Sequence, residues 1–76
     1  MKEILELIIT NLVNNKEEVS IEETATEKTI DFKVKVSQED MGKVIGKQGK
    51  VAKSIRTVMK SISAKEGKKV NIEFED

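Results

Sequence analysis

The chain has 76 residues, of which 14 are Lys or Arg and 14 are Asp or Glu, so its formal net charge is zero. That length predicts a single small domain over residues 1–76. The absence of His and Cys excludes imidazole acid–base catalysis, nucleophiles paired with His, structural zinc sites and disulfides. We therefore expect no enzyme activity and no cofactor. Because no apolar run is long enough for a membrane span and the N-terminus lacks the pattern of a secretory signal, we expect a cytoplasmic protein.

The charges are unevenly distributed along the chain. Residues 1–31 carry a net charge of −5, residues 32–72 carry +8, and residues 73–76 carry −3. The central block is a candidate anion-binding surface, because local charge rather than the total determines the field that a ligand meets. The alternative is a solvated lysine-rich surface without a partner.

An amphipathic helix is predicted over residues 2–14. Apolar residues recur there at the spacing of one helix face, and Leu7 and Val13 widen that stripe. Asn14-Asn15 is expected to end the helix, since Asn tolerates the left-handed conformation of a C-terminal cap. The apolar face consists of Ile4, Leu5, Ile8, Ile9 and Leu12.

Three strands are predicted where apolar and polar side chains alternate. Residues 19–25 form a weak edge strand, and residues 30–36 form the clearest strand, with one buried and one solvated face. These two strands are close enough in sequence to form an antiparallel hairpin. The last strand covers residues 70–75, and the sequence leaves open which earlier strand it pairs with.

Two further helices are predicted between the second and third strands. Ser37 and Asp40 have the spacing of a helix-capping box, and a short apolar face over residues 41–45 follows them. Helical periodicity then continues over residues 50–65. This order predicts an α+β fold, α-β-β-α-α-β, with a three-stranded sheet and the helices packed on one face. The expected core is Ile4, Ile8, Leu12, Ile30, Phe32, Val34, Ile55, Met59, Ile62, Ile72 and Phe74.

The segment most informative about function is a G-x-x-G sequence between these two helices, Gly46-Lys47-Gln48-Gly49. Glycines allow positive φ and close approach of a phosphate chain, and the second one leads into a helix whose free N–H groups favour an anion. The spacing of these glycines fits neither a Walker A loop nor the dinucleotide-binding fingerprint G-x-G-x-x-G. A bare G-x-x-G is better explained as a turn, but the lysines within it and on both sides favour an anion site.

The run Val44-Ile45-Gly46-Lys47-Gln48-Gly49-Lys50 is similar to the V-I-G-x-x-G-[KR] core of K-homology (KH) domains. Together with the predicted element order, it makes the chain resemble a type II KH domain over essentially its full length. The longer run over residues 39–49, residues 52–57 and the ending over residues 64–68 resemble the small bacterial KH proteins of the KhpA (YlqC) type. Two departures lie outside the loop, where that family often has Pro: Gln38, and Asn15 of the pair Asn14-Asn15.

The resemblance implies a non-enzymatic protein that binds single-stranded RNA, because the G-x-x-G loop of KH domains clamps four nucleotides. Carried over to this sequence, the loop residues hold the sugar-phosphate backbone, and bases lie in an aliphatic groove. Further along the helix over residues 50–65, Lys53 and Arg56 either neutralise phosphates or belong to a solvated helix face. The groove floor is expected from Ile45, Val51, Ala52, Ile55 and Val36. The implied RNA-binding residues are Gly46, Lys47, Gln48, Gly49, Lys50, Lys43, Ile45, Lys53 and Arg56.

The resemblance also implies protein partners, namely a second copy of the chain and a larger KH-containing protein of the KhpB/Jag type. The implied role is post-transcriptional regulation or RNA chaperoning, linked to small RNAs, translation, and cell elongation or division. Val51 and Val58 spread the apolar surface of the helix over residues 50–65, which predicts a homodimer interface there unless they only widen the core stripe. The competing function is a KH-fold protein-interaction module with little RNA binding.

Overall fold

The computed structural model of the chain describes residues 1–75, in which three helices cover one mixed sheet. Single 3₁₀ turns occur at Lys16–Glu18, Gln38–Asp40 and Lys47–Gly49. The helices and strands, in chain order, are α1 (Lys2–Leu12), β1 (Ser20–Ala25), β2 (Thr29–Lys35), α2 (Met41–Ile45), α3 (Lys50–Ala64) and β3 (Lys69–Glu75). This order confirms the predicted α+β class and the α-β-β-α-α-β arrangement.

The sheet has the strand order β1-β2-β3, with β2 in the centre. β1 runs antiparallel to β2, with Ile21 opposite Val34, so the expected hairpin forms. β3 runs parallel to β2, with Ile72 opposite Phe32, which answers the question that the sequence left open. The parallel pairing requires a crossover, and the segment containing α2 and α3 supplies it.

The hairpin closes without the glycine that such turns usually contain, because two threonines supply its hydrogen bonds. The Thr26 N–H donates to the Thr29 carbonyl at 2.8 Å, and the Thr29 N–H donates to Thr26 Oγ1 at 3.0 Å. β1 is an edge strand, as predicted, and of its six residues only Ile21 is buried.

One face of the sheet packs against the helices, and the other face is exposed. Along β2, Ile30, Phe32 and Val34 are buried, whereas Asp31 and Lys33 between them are exposed. Ile62 and Phe74, which were expected in the core, are partly buried at its margin. The buried core consists of Leu5, Ile9, Val13, Ile21, Ile30, Phe32, Val34, Val36, Val44, Ile55, Met59, Val70 and Ile72.

The buried face of α1 differs from the predicted one. Leu5 and Ile9 are fully buried, while Ile4 remains 42% exposed. Ile8 and Leu12 are only partly buried and pack against the core from its edge. The prediction of Ile4 as a core residue was wrong because apolar residues cover so much of this helix that two neighbouring faces fit the same periodicity.

The C-terminal end of α1 also differs from the prediction. The helix ends at Leu12, and Val13 is already extended, with φ −100° and ψ 158°. Asn15 has φ −96°, so the left-handed Asn cap does not form there. Asn14 and Asn15 instead direct backbone N–H groups at a buried carboxylate from a distant part of the chain.

That carboxylate belongs to Asp40, whose side chain is fully buried just before α2. It accepts hydrogen bonds from the backbone N–H of Asn15 at 2.9 Å, the N–H of Asn14 at 3.2 Å, and Asn15 Nδ2 at 3.1 Å. Ser37 Oγ also donates to this carboxylate at 3.0 Å. The predicted capping box, in which each side chain would bond to the other residue's backbone N–H, does not form. These hydrogen bonds, led by that of the Asn15 backbone, lower the pKa of Asp40 to about 2. Asp40 thus ties the α1–β1 connection to the start of α2.

Neighbouring apolar residues of α1 are expected to differ sharply in their contribution to stability. Leu5→Ala should reduce the free energy of unfolding by about 2–5 kcal/mol, because it leaves a cavity in the core. Ile4→Ala should change it by about 1 kcal/mol or less, since Ile4 is half exposed. Urea titration of both variants measures the difference, and equal losses would contradict the assigned face of α1.

Asp40 is expected to make stability fall in strong acid. Folding lowers the pKa of Asp40 from 3.8 to about 2, so its stabilising effect is present above about pH 4 and is lost as the pH falls through 2. Asp40→Asn should therefore lower the urea midpoint at neutral pH and reduce its dependence on pH between about 4 and 2. Glu39→Gln, at the exposed neighbouring position, is the control and should retain the wild-type dependence. A neutral-pH midpoint unchanged by Asp40→Asn would contradict this role.

Candidate nucleic-acid interface

The G-x-x-G loop connects α2 to α3 through a turn in which three of its four residues, Gly46, Gln48 and Gly49, have positive φ. Gly46 has φ +76° and ψ 176°, and Gly49 has φ +73° and ψ 14°. Between them, the 3₁₀ turn contains Gln48 at φ +56° and ψ 28°. The Gly49 N–H donates to the Gly46 carbonyl at 3.2 Å, and the Gly46 N–H donates to the Gly42 carbonyl at 2.8 Å. The loop is therefore a fixed turn rather than an extended connection.

Gly46 is required for two separate reasons. Its φ lies in a region that side chains disfavour, and its backbone packs directly against the first turn of α3. A Cβ at this position would overlap Val51 Cγ2 and would lie 2.8 Å from the Val51 backbone nitrogen. Gly49 has no atom within 4 Å of an added Cβ, so only its left-handed conformation favours glycine. The two glycines of the motif thus have different physical roles.

Gln48 is the only residue other than glycine with positive φ in residues 1–75. A left-handed conformation is unfavourable for such a side chain, and strained residues of this kind concentrate at functional sites. Lys47 and Gln48 are both exposed, so their side chains are available to a ligand at the tip of the loop.

The charged residues predicted for the site fall into two groups. Lys47, Lys50 and Lys53 are exposed and take part in neither of the two ion pairs found in residues 1–75. Lys43 Nζ lies 3.6 Å from Asp40 Oδ1, so Lys43 already has a carboxylate partner. The loop and the first turns of α3 consequently present three lysines to solvent.

Arg56 is an exposed residue whose guanidinium group contacts β3. Its Nε and Nη2 donate to the Ile72 carbonyl at 3.4 and 3.3 Å, and its guanidinium carbon lies 5.4 Å from the centre of the Phe74 ring. A cation over an aromatic face is attracted by the ring quadrupole. Arg56 therefore fixes a positive charge at the line of contact between α3 and β3.

The aliphatic part of the predicted site is smaller than expected. Ile45 and Val51 are partly buried on either side of Gly46, so part of each side chain faces solvent next to the loop. The other residues proposed for the groove floor are core residues with almost no exposed surface: Val36, Ala52 and Ile55. Apolar contact with a ligand can therefore come from Ile45 and Val51 beside the loop.

One basic cluster was missed by the sequence analysis. A surface cavity of about 400 Å³, which we call the distal basic cavity, lies between the end of α3 and the start of β3. Its lining residues are Lys60, Ser63, Lys68, Lys69, Val70 and Asn71. The spacing of Lys60 four residues after Arg56 is the signal that could have placed it on the same side of α3.

The element order and the G-x-x-G loop between α2 and α3 define the protein as a type II KH domain. The family model described as the KH domain of KhpA/KhpB matches residues 2–74. The chain belongs to this family.

Named relatives match nearly the whole chain. The RNA-binding protein KhpA of Clostridium perfringens is 53% identical over 97% of this chain and 99% of its own. The proteins of the same name in Clostridium acetobutylicum and Listeria monocytogenes are 51% and 42% identical, over 97% of this chain and 99% and 97% of theirs. No solved structure gives a significant match. Within residues 1–75, no helix has both the length and the apolar character needed to cross a membrane.

Proposed function

We propose that this chain is a non-enzymatic single-stranded RNA-binding protein whose G-x-x-G loop holds the sugar-phosphate backbone. The observation that carries the proposal is the turn over residues 46–49, in which Gly46, Gln48 and Gly49 have positive φ. Lys47 in this turn, and Lys50 and Lys53 at the start of α3, are exposed and have no ion pair in residues 1–75. The names of the relatives, all RNA-binding proteins, support the same ligand. The absence of His and Cys from the sequence supports binding without catalysis.

The proposed mechanism combines close approach with charge. Without side chains at Gly46 and Gly49, a phosphate group can approach the backbone of the turn, and the N-terminus of α3 favours its negative charge. Lys47 and Lys50 neutralise phosphates, and Lys53 does so one turn further along α3. Ile45 and Val51 offer apolar contact to a base. The chain has no Trp or Tyr, Phe32 is buried, and the partly buried ring of Phe74 lies beneath Arg56. We therefore expect little stacking on bases, a modest affinity and little sequence preference.

The loop hypothesis is tested by Lys47→Asp with Gln48→Asp. Both side chains are exposed, so folding should survive, while the phosphates meet three units of added negative charge. RNA binding should be lost, as measured by fluorescence anisotropy with a short labelled RNA of random sequence. Binding by the wild type should weaken with salt at a slope of about −2, which corresponds to three lysines on a single strand.

A matched control is Lys28→Asp with Gln38→Asp. It replaces the same two residue types at exposed positions outside the loop and makes the same change in net charge. This variant should bind RNA much more tightly than the loop variant, and circular dichroism should show that both are folded. If the folded loop variant binds as tightly as the wild type, the loop is not the RNA clamp, and a protein-interaction module becomes the better interpretation.

The proposal includes a homodimer formed through α3 or its surroundings. Val58 on this helix is 46% exposed, and an exposed apolar side chain on so small a domain is a candidate contact for a second copy. Val58→Lys should therefore reduce self-association while preserving the fold, because Met59 and Ile55 rather than Val58 carry the core face of α3. Analytical ultracentrifugation at high micromolar concentration is the measurement, and a monomeric wild-type protein would contradict the proposal.

A larger KH-containing protein of the KhpB type is the second proposed protein partner, as the family resemblance implies. With RNA as its ligand, the protein would act in the cytoplasm as a post-transcriptional regulator or RNA chaperone. Small RNAs and cell-shape control remain the expected context for that role. Crosslinking in cells, followed by sequencing of the bound RNA, identifies the targets.

A further inference from the structure

The distal basic cavity is lined by three lysines and by no acidic residue. Its neutral polar groups already have partners within the fold. Ser63 Oγ donates to the Lys60 carbonyl at 3.1 Å, and Asn71 Nδ2 donates to Asp31 Oδ1 at 2.9 Å. Within residues 1–75, the ion pairs involve other groups, so Lys60, Lys68 and Lys69 remain available to an external anion.

These lysines are not needed to satisfy the C-terminal carbonyl groups of α3. The Ser63 carbonyl accepts from the backbone N–H of Glu66 at 3.0 Å and from that of Lys68 at 3.1 Å. The Ala64 carbonyl accepts from the Gly67 N–H at 3.1 Å. Because the backbone itself closes the helix, the lysine ammonium groups stay free for another use.

A line of basic residues connects the cavity to the G-x-x-G loop. Lys53, Arg56 and Lys60 are spaced three and four residues apart, which places them on one side of α3. The hydrogen bonds from Arg56 to the Ile72 carbonyl show that this side faces β3. The loop lies at the N-terminal end of the line and the cavity at its C-terminal end. From Lys50 to Lys60 the helix rises by about 15 Å.

We propose that the distal basic cavity is a second phosphate subsite for the RNA strand that the loop binds. The strand would leave the loop, follow the line of contact between α3 and β3 past Arg56, and place a backbone phosphate among Lys60, Lys68 and Lys69. A concave site lined by one sign of charge concentrates the field that attracts the opposite charge. This inference rests on the proposed function and extends it, because a loop that clamps four nucleotides leaves the cavity to longer strands.

The test compares short and long RNA. Lys60→Gln with Lys69→Gln removes two exposed lysines of the cavity, while Lys33→Gln with Lys35→Gln removes two exposed lysines of β2 that do not line it. Each variant is titrated with a labelled oligouridylate of about four nucleotides and with one of about twelve. Fluorescence anisotropy over a series of salt concentrations gives the slope, and circular dichroism checks folding.

For the long strand, the cavity variant should lose about 1.4 from the salt slope, or about 0.7 for each lysine that meets a phosphate. Between 50 and 200 mM salt, the wild type should therefore lose about sevenfold more affinity than the cavity variant. For the short strand, the wild type and the cavity variant should have the same affinity and the same salt slope. The β2 variant should behave as the wild type with both strands.

Three results would overturn the subsite: an unchanged slope for the long strand, an equal loss with the short strand, or the same loss in the β2 variant. The loop variant Lys47→Asp with Gln48→Asp separates this failure from that of the proposed function. If the loop variant binds neither strand while the cavity variant matches the wild type, the function stands and the subsite does not. If the loop variant binds both strands normally, the proposed function fails, and the subsite fails with it.

Discussion

The close approach of Gly46 to Val51 is the contact on which the geometry of the candidate site depends. A side chain at Gly46 would occupy the space that Val51 fills, so the end of α2 can lie against the start of α3 only if this residue is glycine. That contact turns the chain sharply and brings the N-terminus of α3 to the surface beside the loop. The unfavourable backbone conformation of Gln48 follows from the same turn. Packing, rather than the loop sequence alone, thus determines where Lys47 and Lys50 lie.

The helix that leads into this turn is only five residues long and is fixed at both ends. At its start, the buried carboxylate of Asp40 holds the backbone of Asn14 and Asn15, which links α2 to the connection after α1. At its end, Gly46 packs against Val51. Such a short helix has little intrinsic stability, so these tertiary contacts position it. Asp40 also pairs with Lys43, which couples one of the predicted site residues to the fold.

The sequence predicted most of the elements and their order because long apolar periodicities are strong signals. It placed the buried face of α1 incorrectly, since Ile4 and Leu5 fit the same helical period and only packing against the sheet selects Leu5. It interpreted Asp40 as part of a local capping box because the Asn14 and Asn15 N–H groups that it binds are some 25 residues away. Hydrogen bonds between residues so distant in sequence have no local signature.

The sequence predicted only those parts of the candidate site that are contiguous in the chain. The residues of the loop motif could be named from the sequence alone. Whether each nearby charged side chain has a partner within the protein could not be predicted, because that depends on the folded structure. Lys43 and Arg56 have protein partners, while Lys47, Lys50 and Lys53 have no ion pair in residues 1–75. The distal basic cavity joins residues from α3, the following turn and β3, and its charge is apparent only after folding.

The proposed function requires that the turn between α2 and α3 contacts the RNA backbone. The most direct measurement is an NMR titration that follows every backbone amide while a short single-stranded RNA is added. We expect the largest shifts at residues 46–53, with little change on the exposed face of the sheet around Asp31 and Lys33. If the largest shifts occur on that sheet face while the amide shifts of the loop do not change, the proposed role of the turn is contradicted.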